Sequence, residues 1–310
     1  MKCSLCRESC PSAAIDEALT INAKCTECGI CLANCPTEAI AGEGYRPQAL
    51  QKAAQVTGPL LLNCQKINTG SDWPCLGFLD ARLLAGLACR EGEARAVWVD
   101  DSKCGGCNKA VKKYLAEAVG QANLLLAAAG KPPIRLGSCT GAEVNREKPV
   151  SRRTFFSQVF AATVETVRET VFPAAVGPEP LKRYEFFRRA SSKELEHKEC
   201  PGQKIFPSIT MTAECYGCGL CAKACPNKAI TFIEQGSEIQ LRHNPLLCTQ
   251  CKVCATLCPR QAIRFDWAGT LADQVAANVS LPQCEVCGRY FQPLGEGALC
   301  LECKLKGDNW

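Results

Sequence analysis

Residues 215–230 read CYGCGLCAKACPNKAI, and the four cysteines of this stretch follow the series C-x2-C-x2-C-x3-C. The same series recurs in CTQCKVCATLCPRQAI at 248–263 and in CTECGICLANCPTEAI at 25–40. A shorter copy, CSLCRESCPSAAI at 3–15, ends in the same Cys-Pro-x-x-Ala-Ile phrase. Four copies of one phrase indicate a small structural unit that the chain uses repeatedly.

The composition favours metal or redox chemistry. Of the 310 residues, 26 are cysteine, far more than an ordinary globular enzyme carries. The opening MKCSLC shows no charged-then-apolar export signal, so we expect a cytoplasmic protein whose thiols stay reduced. No uninterrupted apolar run reaches the ~18 residues that a transmembrane helix needs. The formal net charge of +5 is mild and selects no class of partner.

The spacing also has a chemical rationale. A cubane iron-sulfur cluster needs four thiolates, and a tight loop with cysteine at every third position supplies three of them. The series resembles the bacterial two-cluster 4Fe-4S ferredoxin family over residues 1–45 and 205–266, and in that family the cysteine before proline binds the other cluster. The resemblance implies three 4Fe-4S clusters, held by Cys215, Cys218, Cys221 and Cys258, by Cys248, Cys251, Cys254 and Cys225, and by Cys25, Cys28, Cys31 and Cys10.

A fourth ferredoxin centre would use Cys3, Cys6 and Cys35, but the first ligand of its loop would fall three residues before Cys3. Three explanations are open: a 3Fe-4S cluster on three thiolates, a 4Fe-4S cluster with a non-cysteine or borrowed ligand, or a chain that starts further upstream. We favour the upstream start because the rest of the register is intact. Zinc knuckles fit these loops less well, since zinc sites use pairs of C-x2-C.

A different pattern lies between the ferredoxin-like segments. GPLLLNC (58–64), ARAVWVD (94–100) and PPIRLGS (132–138) predict buried strands, separated by helical runs at 77–90 and 108–129. This alternation predicts a small three-stranded parallel α/β domain. Such sheets place their chemistry beyond the carboxyl ends of the strands. Five cysteines of this segment follow the strands or begin the first helix: Cys64, Cys75, Cys104, Cys107 and Cys139.

Three interpretations of these cysteines are open. The favoured one is a further iron-sulfur cluster on Cys64, Cys75, Cys104 and Cys107, because these residues converge at strand ends. The second is a dithiol-disulfide centre at CGGC (104–107), since a helix N-terminus favours a thiolate. The third is a group of small buried thiols.

The middle segment also resembles, more loosely, the iron-sulfur domain of delta subunits of methyl-viologen-reducing hydrogenases. The resemblance rests on a Cys after one strand, a GFLDARLL-type helix at 77–84 and a pair of Cys after the next strand. It implies a docking and electron-relay module. No glycine-rich phosphate-binding motif is present to indicate a nucleotide site.

Residues 143–204 form a basic segment with one cysteine, Cys200. SRRTFF (151–156) is similar to a twin-arginine export motif, but it is internal and charged residues follow it, so we predict an amphipathic helix capped by Ser151 or Thr154. No nucleic-acid-binding motif accompanies the basic residues, so we expect no nucleic-acid partner.

The C-terminal segment carries CEVCG (284–288) and CLEC (300–303). Two such pairs predict a closed four-thiolate site of the zinc-ribbon type on Cys284, Cys287, Cys300 and Cys303. Rubredoxin-type iron is the alternative metal. The two histidines are His197 and His243, and we expect His243 to lie at the solvent-facing surface. Cys89, placed within a helix, and Cys200 are expected to be packing residues.

Together these patterns predict a multidomain α+β chain, in which two ferredoxin-like 4Fe-4S modules flank a small three-stranded parallel α/β domain and a zinc ribbon follows. The expected boundaries are 1–48 (N-terminal ferredoxin-like module), 49–142 (α/β domain), 143–204 (basic helical linker), 205–269 (dicluster ferredoxin module) and 270–310 (helix plus zinc ribbon).

The leading functional hypothesis is an electron-transfer subunit that relays electrons to or from a partner oxidoreductase, because no nucleophile-base pair is recognisable. Peripheral association through a membrane complex is compatible with the absence of a transmembrane segment. The alternative is a dithiol or disulfide reductase at Cys104 and Cys107 that the clusters supply with electrons. A third hypothesis is an oxygen or iron sensor that responds through cluster loss.

Overall fold

The computed structural model describes residues 3–45, 47–56, 58–90, 93–138, 187, 194–293 and 297–307. Cys139 and the amphipathic helix predicted from Ser151 or Thr154 lie outside these residues. Within the described part of the chain, every helix is too short or too polar to cross a bilayer.

Short helices and turns make up the N-terminal unit. Helix α1 (Leu5–Glu8) precedes Cys10, and helix α2 (Ile30–Asn34) precedes Cys35. A single antiparallel bridge between Ile15 and Ile21 is the strand pairing found in the described part of this unit. Its packing therefore depends on the unit that follows, whose core includes Cys28 and Ile30.

The middle unit contains the small parallel sheet that the sequence predicts. Its strands are β1 (Leu60–Leu62), β2 (Cys89–Arg90), β3 (Glu93–Ala94), β4 (Val97–Val99) and β5 (Arg135–Leu136). Strands β1, β4 and β5 lie in that order and both pairs are parallel. Its helices are α3 (Pro47–Gln55), α4 (Ala81–Ala88), α5 (Cys104–Cys107) and α6 (Lys109–Ala128). Helix α6 starts after Asn108, whose side chain accepts hydrogen bonds from the first free backbone N–H groups of the helix.

Helix α4 is shorter than the predicted run of residues 77–90. It begins after Asp80, whose carboxylate accepts a hydrogen bond from the Leu83 N–H at 2.7 Å. It ends at Ala88, so the prediction that Cys89 lies within a helix is wrong: Cys89 lies in β2 and pairs with β3. The buried Arg95 guanidinium explains this end, because its Nε donates to the Leu87 carbonyl at 2.6 Å and satisfies an acceptor of the last turn.

The C-terminal unit has two antiparallel sheets of its own. Its strands are β6 (Pro207–Met211), β7 (Ile230–Gln235), β8 (Glu238–His243), β9 (Ile263–Trp267) and β10 (Gln274–Ser280). Strand β6 pairs with β9, and the second sheet has the order β10-β8-β7. Helices α7 (Leu220–Ala224) and α8 (Val253–Thr256) precede the two Cys-Pro turns, and a 3-10 helix spans Pro245–Leu247.

Two strands of this unit start directly after the Cys-Pro turns. Strands β7 and β9 start at Ile230 and Ile263, the last residues of the two Cys-Pro-x-x-Ala-Ile phrases of this unit. Residues 274–280 form strand β10. The β-branched Val275 and Val279 favour an extended backbone here, and Val279 pairs with Ile239 of β8. The helix of this C-terminal segment is α9 (Leu301–Gly307), next to the last cysteine pair.

Candidate metal centres

The Cys-Pro turn has the same backbone in all four repeats. In each one the backbone N–H of the alanine in Cys-Pro-x-x-Ala donates a hydrogen bond to the sulfur of the cysteine four residues earlier, with N···S distances of 3.2–3.3 Å. In each one the residue three positions after the cysteine has a positive φ, between 48° and 53°, at Ala13, Glu38, Lys228 and Gln261. A backbone N–H that points at sulfur stabilises a thiolate, so the repeated phrase encodes a ligand-presenting turn.

The three complete C-x2-C-x2-C loops also share one conformation. The residue before the second cysteine and the residue after it both have positive φ: Glu27 and Gly29, Gly217 and Gly219, and Gln250 and Lys252. Left-handed residues on both sides of the second cysteine curl the loop and turn its N–H groups inward, a conformation that binds anions. The third cysteine of each series then lies on a short helix: Cys31 on α2, Cys221 on α7 and Cys254 on α8. The short first repeat places Cys6 in the same way on α1.

Four predicted ligands of the N-terminal unit line one cavity. Cys10, Cys25, Cys28 and Cys31 surround a space of about 170 Å³, whose other walls include Ile15, Ile21 and Leu32. Burial, together with the charge of Cys28, raises the pKa of the Cys31 thiol to about 11. Four cysteine sulfurs around one cavity are the donor set that a 4Fe-4S cluster takes, so these residues fit an iron-sulfur cluster.

The C-terminal unit repeats this arrangement. Cys225, from the first series, lines a cavity of about 20 Å³ together with Cys248, Cys251 and Cys254 of the second series. Burial raises the pKa of Cys248 to about 11 and that of Cys254 to about 12. The structure thus brings the Cys-Pro cysteine of one series to the loop of the other, as the ferredoxin resemblance implies.

The second set of the C-terminal unit is also assembled. Burial raises the pKa of Cys215, and the charges of Cys218 and Cys258 raise it further, so these thiols are neighbours. The pKa of Cys221 is likewise raised, to about 11. Burial is the main cause, and among the neighbouring charges that of Cys215 contributes most. Cys215, Cys218, Cys221 and Cys258 therefore form the counterpart of the Cys248 set.

Three thiols meet at the fourth ferredoxin position. Burial raises the pKa of Cys6, and the charges of Cys35 and Cys3 raise it further. The geometry brings together the three cysteines named from the sequence.

Four cysteines of the middle unit line a single cavity of about 330 Å³. Cys64, Cys75, Cys104 and Cys107 lie on its wall. Burial raises the pKa of Cys104 to about 11, with further contributions from Cys75 and Cys64. The exposed Cys107 accepts a hydrogen bond from Lys66 Nζ at 3.1 Å. Cys75 lies in the loop before α4 and not at the start of the helix.

This cavity adjoins the N-terminal unit. Thr26, Glu27 and Cys28 also line it, so Cys28 lies between the two cysteine sets. The Tyr45 hydroxyl donates to the Glu27 carbonyl at 2.6 Å. Gly77 packs so closely that a Cβ atom there would lie 2.2 Å from the Cys28 carbonyl oxygen. The contact of Gly77 with Cys28 was not predicted, because a single glycine before a helix carries no sequence signal of such a contact.

The last two cysteine pairs form a compact four-thiol site. The sulfur atoms of Cys284, Cys287, Cys300 and Cys303 all lie within 4.8 Å of one another. The Cys287 and Cys300 sulfurs are 3.7 Å apart, close to the ~3.8 Å that a tetrahedron with Zn–S bonds of about 2.3 Å requires. Backbone N–H groups of Cys287 and Cys300 lower the pKa of Cys284 to about 6, which prepares a thiolate for a metal. The donor set fits zinc and equally fits mononuclear iron.

Among the described residues, Cys89, Cys200 and His243 do not line any of the three cavities above. Cys89 and Cys200 are buried, and burial is the first cause of the raised pKa of each thiol. The prediction of a solvent-facing His243 is wrong, because its side chain is fully buried and neither ring nitrogen has a hydrogen-bond partner in the described structure. It lies on the face of β8 that also carries Ile239 and Leu241, so the strand alternation buries it.

Comparison with known families supports the metal chemistry of the C-terminal unit. Residues 214–262 match the 4Fe-4S dicluster domain family. The match spans both complete series of this unit and supports an iron-sulfur, electron-transfer role. No curated protein matches the chain. The match does not extend to residues 1–45 or to the middle unit. Their membership of the ferredoxin family and of the hydrogenase delta-subunit family therefore stays a prediction.

Proposed function

We propose that this chain is a multi-cluster electron-transfer protein that relays electrons to or from a partner oxidoreductase. The observation that carries the proposal is the shared geometry of the repeats: the dicluster segment and the complete N-terminal series at 25–40 have the same left-handed loops, and all four repeats have the same Cys-Pro turns with N–H···S bonds. A motif that binds clusters in one unit has the same backbone in the other.

The proposed ligand sets follow from the cavities. Cys225, Cys248, Cys251 and Cys254 would hold one 4Fe-4S cluster, and Cys215, Cys218, Cys221 and Cys258 its partner. Cys10, Cys25, Cys28 and Cys31 would hold a third. Cys3, Cys6 and Cys35 would hold a 3Fe-4S cluster, or a 4Fe-4S cluster with one further ligand. Each crossed cysteine would join two loops, so cluster binding would also stabilise the unit.

The middle unit would hold one more iron-sulfur cluster on Cys64, Cys75, Cys104 and Cys107. Its support is the convergence of all four thiols on one cavity, next to Cys28 of the N-terminal set. The four thiols at the C-terminus would bind zinc, which would stabilise a segment too small to form its own core. Iron-sulfur clusters exchange single electrons, and the role of these protein groups is to bind them, exclude water and set their potentials.

An anaerobic reductive titration tests this function. The full chain, purified without oxygen, is titrated with dithionite while EPR spectra and visible absorption are recorded. We expect reversible uptake of several electrons per chain and EPR signals of more than one reduced cluster. Irreversible bleaching, or uptake of no electrons, would contradict the proposal.

A second candidate function rests on the Lys66–Cys107 contact. An ammonium 3.1 Å from an exposed sulfur is a contact typical of a reactive cysteine, as in a dithiol reductase that would use Cys104 and Cys107. A Cys107→Ser variant separates the two functions. Loss of a cluster signal supports ligation, whereas lost reduction of a disulfide substrate with all cluster signals intact supports the reductase.

A further inference from the structure

A buried arginine joins the middle unit to one cysteine set of the C-terminal unit. Arg82 lies on helix α4, and only 6% of its surface is exposed. Its Nη2 donates hydrogen bonds of 2.8 Å to the carbonyl oxygens of Ile205 and Cys248. Its guanidinium carbon lies 4.6 Å from the centre of the Phe206 ring. The guanidinium therefore reaches out of its own unit to the main chain of a proposed cluster ligand.

The location of this charge is unusual for its surroundings. The neighbouring residues of α4, Leu83 and Leu84, are fully buried in an apolar core. Burying a guanidinium is costly unless its N–H groups are bonded, and here two carbonyl oxygens of the other unit accept bonds from Nη2. Helix α4 thus places a positive charge, held by these carbonyl oxygens, beside the Cys248 loop.

The charge acts on one set of the C-terminal unit more than on the other. Arg82 Nη2 donates to the carbonyl oxygen of Cys248 itself, 2.8 Å away. In the sister set, the equivalent Cys215 contacts Met211 Sδ of its own unit at 3.6 Å. Two sets with matching loops therefore lie in different electrostatic environments, and charge near a cluster is one of the factors that sets its reduction potential.

We propose that Arg82 is a positioning residue that fixes the Cys248 loop and raises the reduction potential of the centre held by Cys225, Cys248, Cys251 and Cys254. The proposal rests on the electron-transfer function proposed above. A reduced centre carries one more negative charge than an oxidised centre, so a nearby guanidinium favours reduction. The middle unit thereby sets a potential difference between two otherwise similar centres.

An EPR-monitored redox titration of the full anaerobic chain tests this role, with dithionite as reductant. In Arg82→Met we expect the midpoint of one C-terminal centre to shift to more negative potential while the other centre keeps its midpoint. In Arg82→Lys, which retains the charge, we expect a midpoint close to that of the wild type. The matched control is Arg95→Met, because Arg95 is equally buried and bonds to the carbonyls of Leu87, Ala53 and Val56, away from the cysteine sets.

Iron analysis of each variant makes every outcome decisive. Full iron content with an unchanged midpoint in Arg82→Met overturns the proposal and leaves the electron-transfer function intact. Equal shifts in Arg82→Met and Arg82→Lys also overturn it. If Arg82→Met loses iron, a fully loaded Arg82→Lys with the wild-type midpoint supports the proposal, and iron loss in both variants shows a structural role and overturns it. A wild-type chain without reducible clusters contradicts the proposed function itself.

Discussion

The N-terminal and C-terminal units present the same ligand motif on different support. The C-terminal unit has two antiparallel sheets and a core that includes Ile209, Ile239 and Ile263. The N-terminal unit has one isolated bridge among its described residues, and its Cys28 and Ile30 belong to the core of the middle unit. The same loop geometry therefore occurs on two different supports, and the stability of each arrangement comes from the core against which the loop packs.

This difference leads to a specific expectation. Changes in the middle unit should damage the N-terminal cysteine sets and spare the sets that have their own sheets, apart from the Cys248 loop that Arg82 contacts.

Gly77→Ala should have the largest effect. The added Cβ would lie 2.2 Å from the Cys28 carbonyl oxygen, so one of the two backbones must move. We expect a loss of about 3 kcal/mol or more in unfolding free energy, the upper range for overpacking, and a loss of about four iron atoms per chain from the Cys28 set. Iron analysis and urea unfolding measure both effects.

Gly120→Ala is the control for this change. Gly120 lies within helix α6 and a Cβ there meets no atom within 4 Å, so alanine should stabilise the chain by about 0.5–1 kcal/mol. Similar iron loss in both variants, or loss of the C-terminal EPR signals in Gly77→Ala, would show that the N-terminal unit does not depend on this contact.

The buried His243 should make the stability of the C-terminal unit depend on pH. Burial lowers its pKa to about 4, partly opposed by the charge of Asp273, which is paired with Arg242 at 2.6 Å. Between pH 6.5 and 4 the unfolded chain binds a proton that the folded chain does not, so stability falls as the pH falls. Relative to pH 8, this loss amounts to about 2 kcal/mol at pH 5.

A His243→Leu variant isolates this contribution. Urea unfolding of the wild type and the variant at pH 8 and pH 5 gives the difference in pH dependence. The variant should lose about 2 kcal/mol less than the wild type over this range. Equal losses in the two proteins would mean that His243 does not stay neutral in the folded chain.

Tyr45→Phe should have the smallest effect of the three. The variant removes the hydrogen bond from the Tyr45 hydroxyl to the Glu27 carbonyl but keeps the ring contact with Phe78, whose centre is 5.1 Å away. We expect a loss of about 1 kcal/mol, measured by urea unfolding, with iron content unchanged. Tyr290→Phe, at an exposed ring in the tail, should change nothing measurable. A larger loss at Tyr290 than at Tyr45 would contradict the proposed support of the N-terminal loop.

The sequence predicted those features that depend on residues close together in the chain. The cysteine series determined which thiols meet, because three of each four ligands lie within seven residues, and the strand-helix alternation predicted the sheet of β1, β4 and β5. The burial of His243 was missed, although its position two residues from Leu241 on β8 agrees with strand alternation. The contacts of Gly77 with Cys28 and of Arg82 with Cys248 could not be predicted, since the pairs are far apart in the chain and neither residue belongs to a motif.

Metal content per chain tests the central claim most directly. Anaerobically purified full-length protein is analysed for iron, acid-labile sulfide and zinc, with EPR on the same sample. The three complete ferredoxin-type sets and the middle set predict about 16 iron atoms, with about three or four more if Cys3, Cys6 and Cys35 hold a cluster, and about one zinc. Fewer than about 12 iron atoms in protein that retains its fold would contradict the assignment of clusters to the three complete sets.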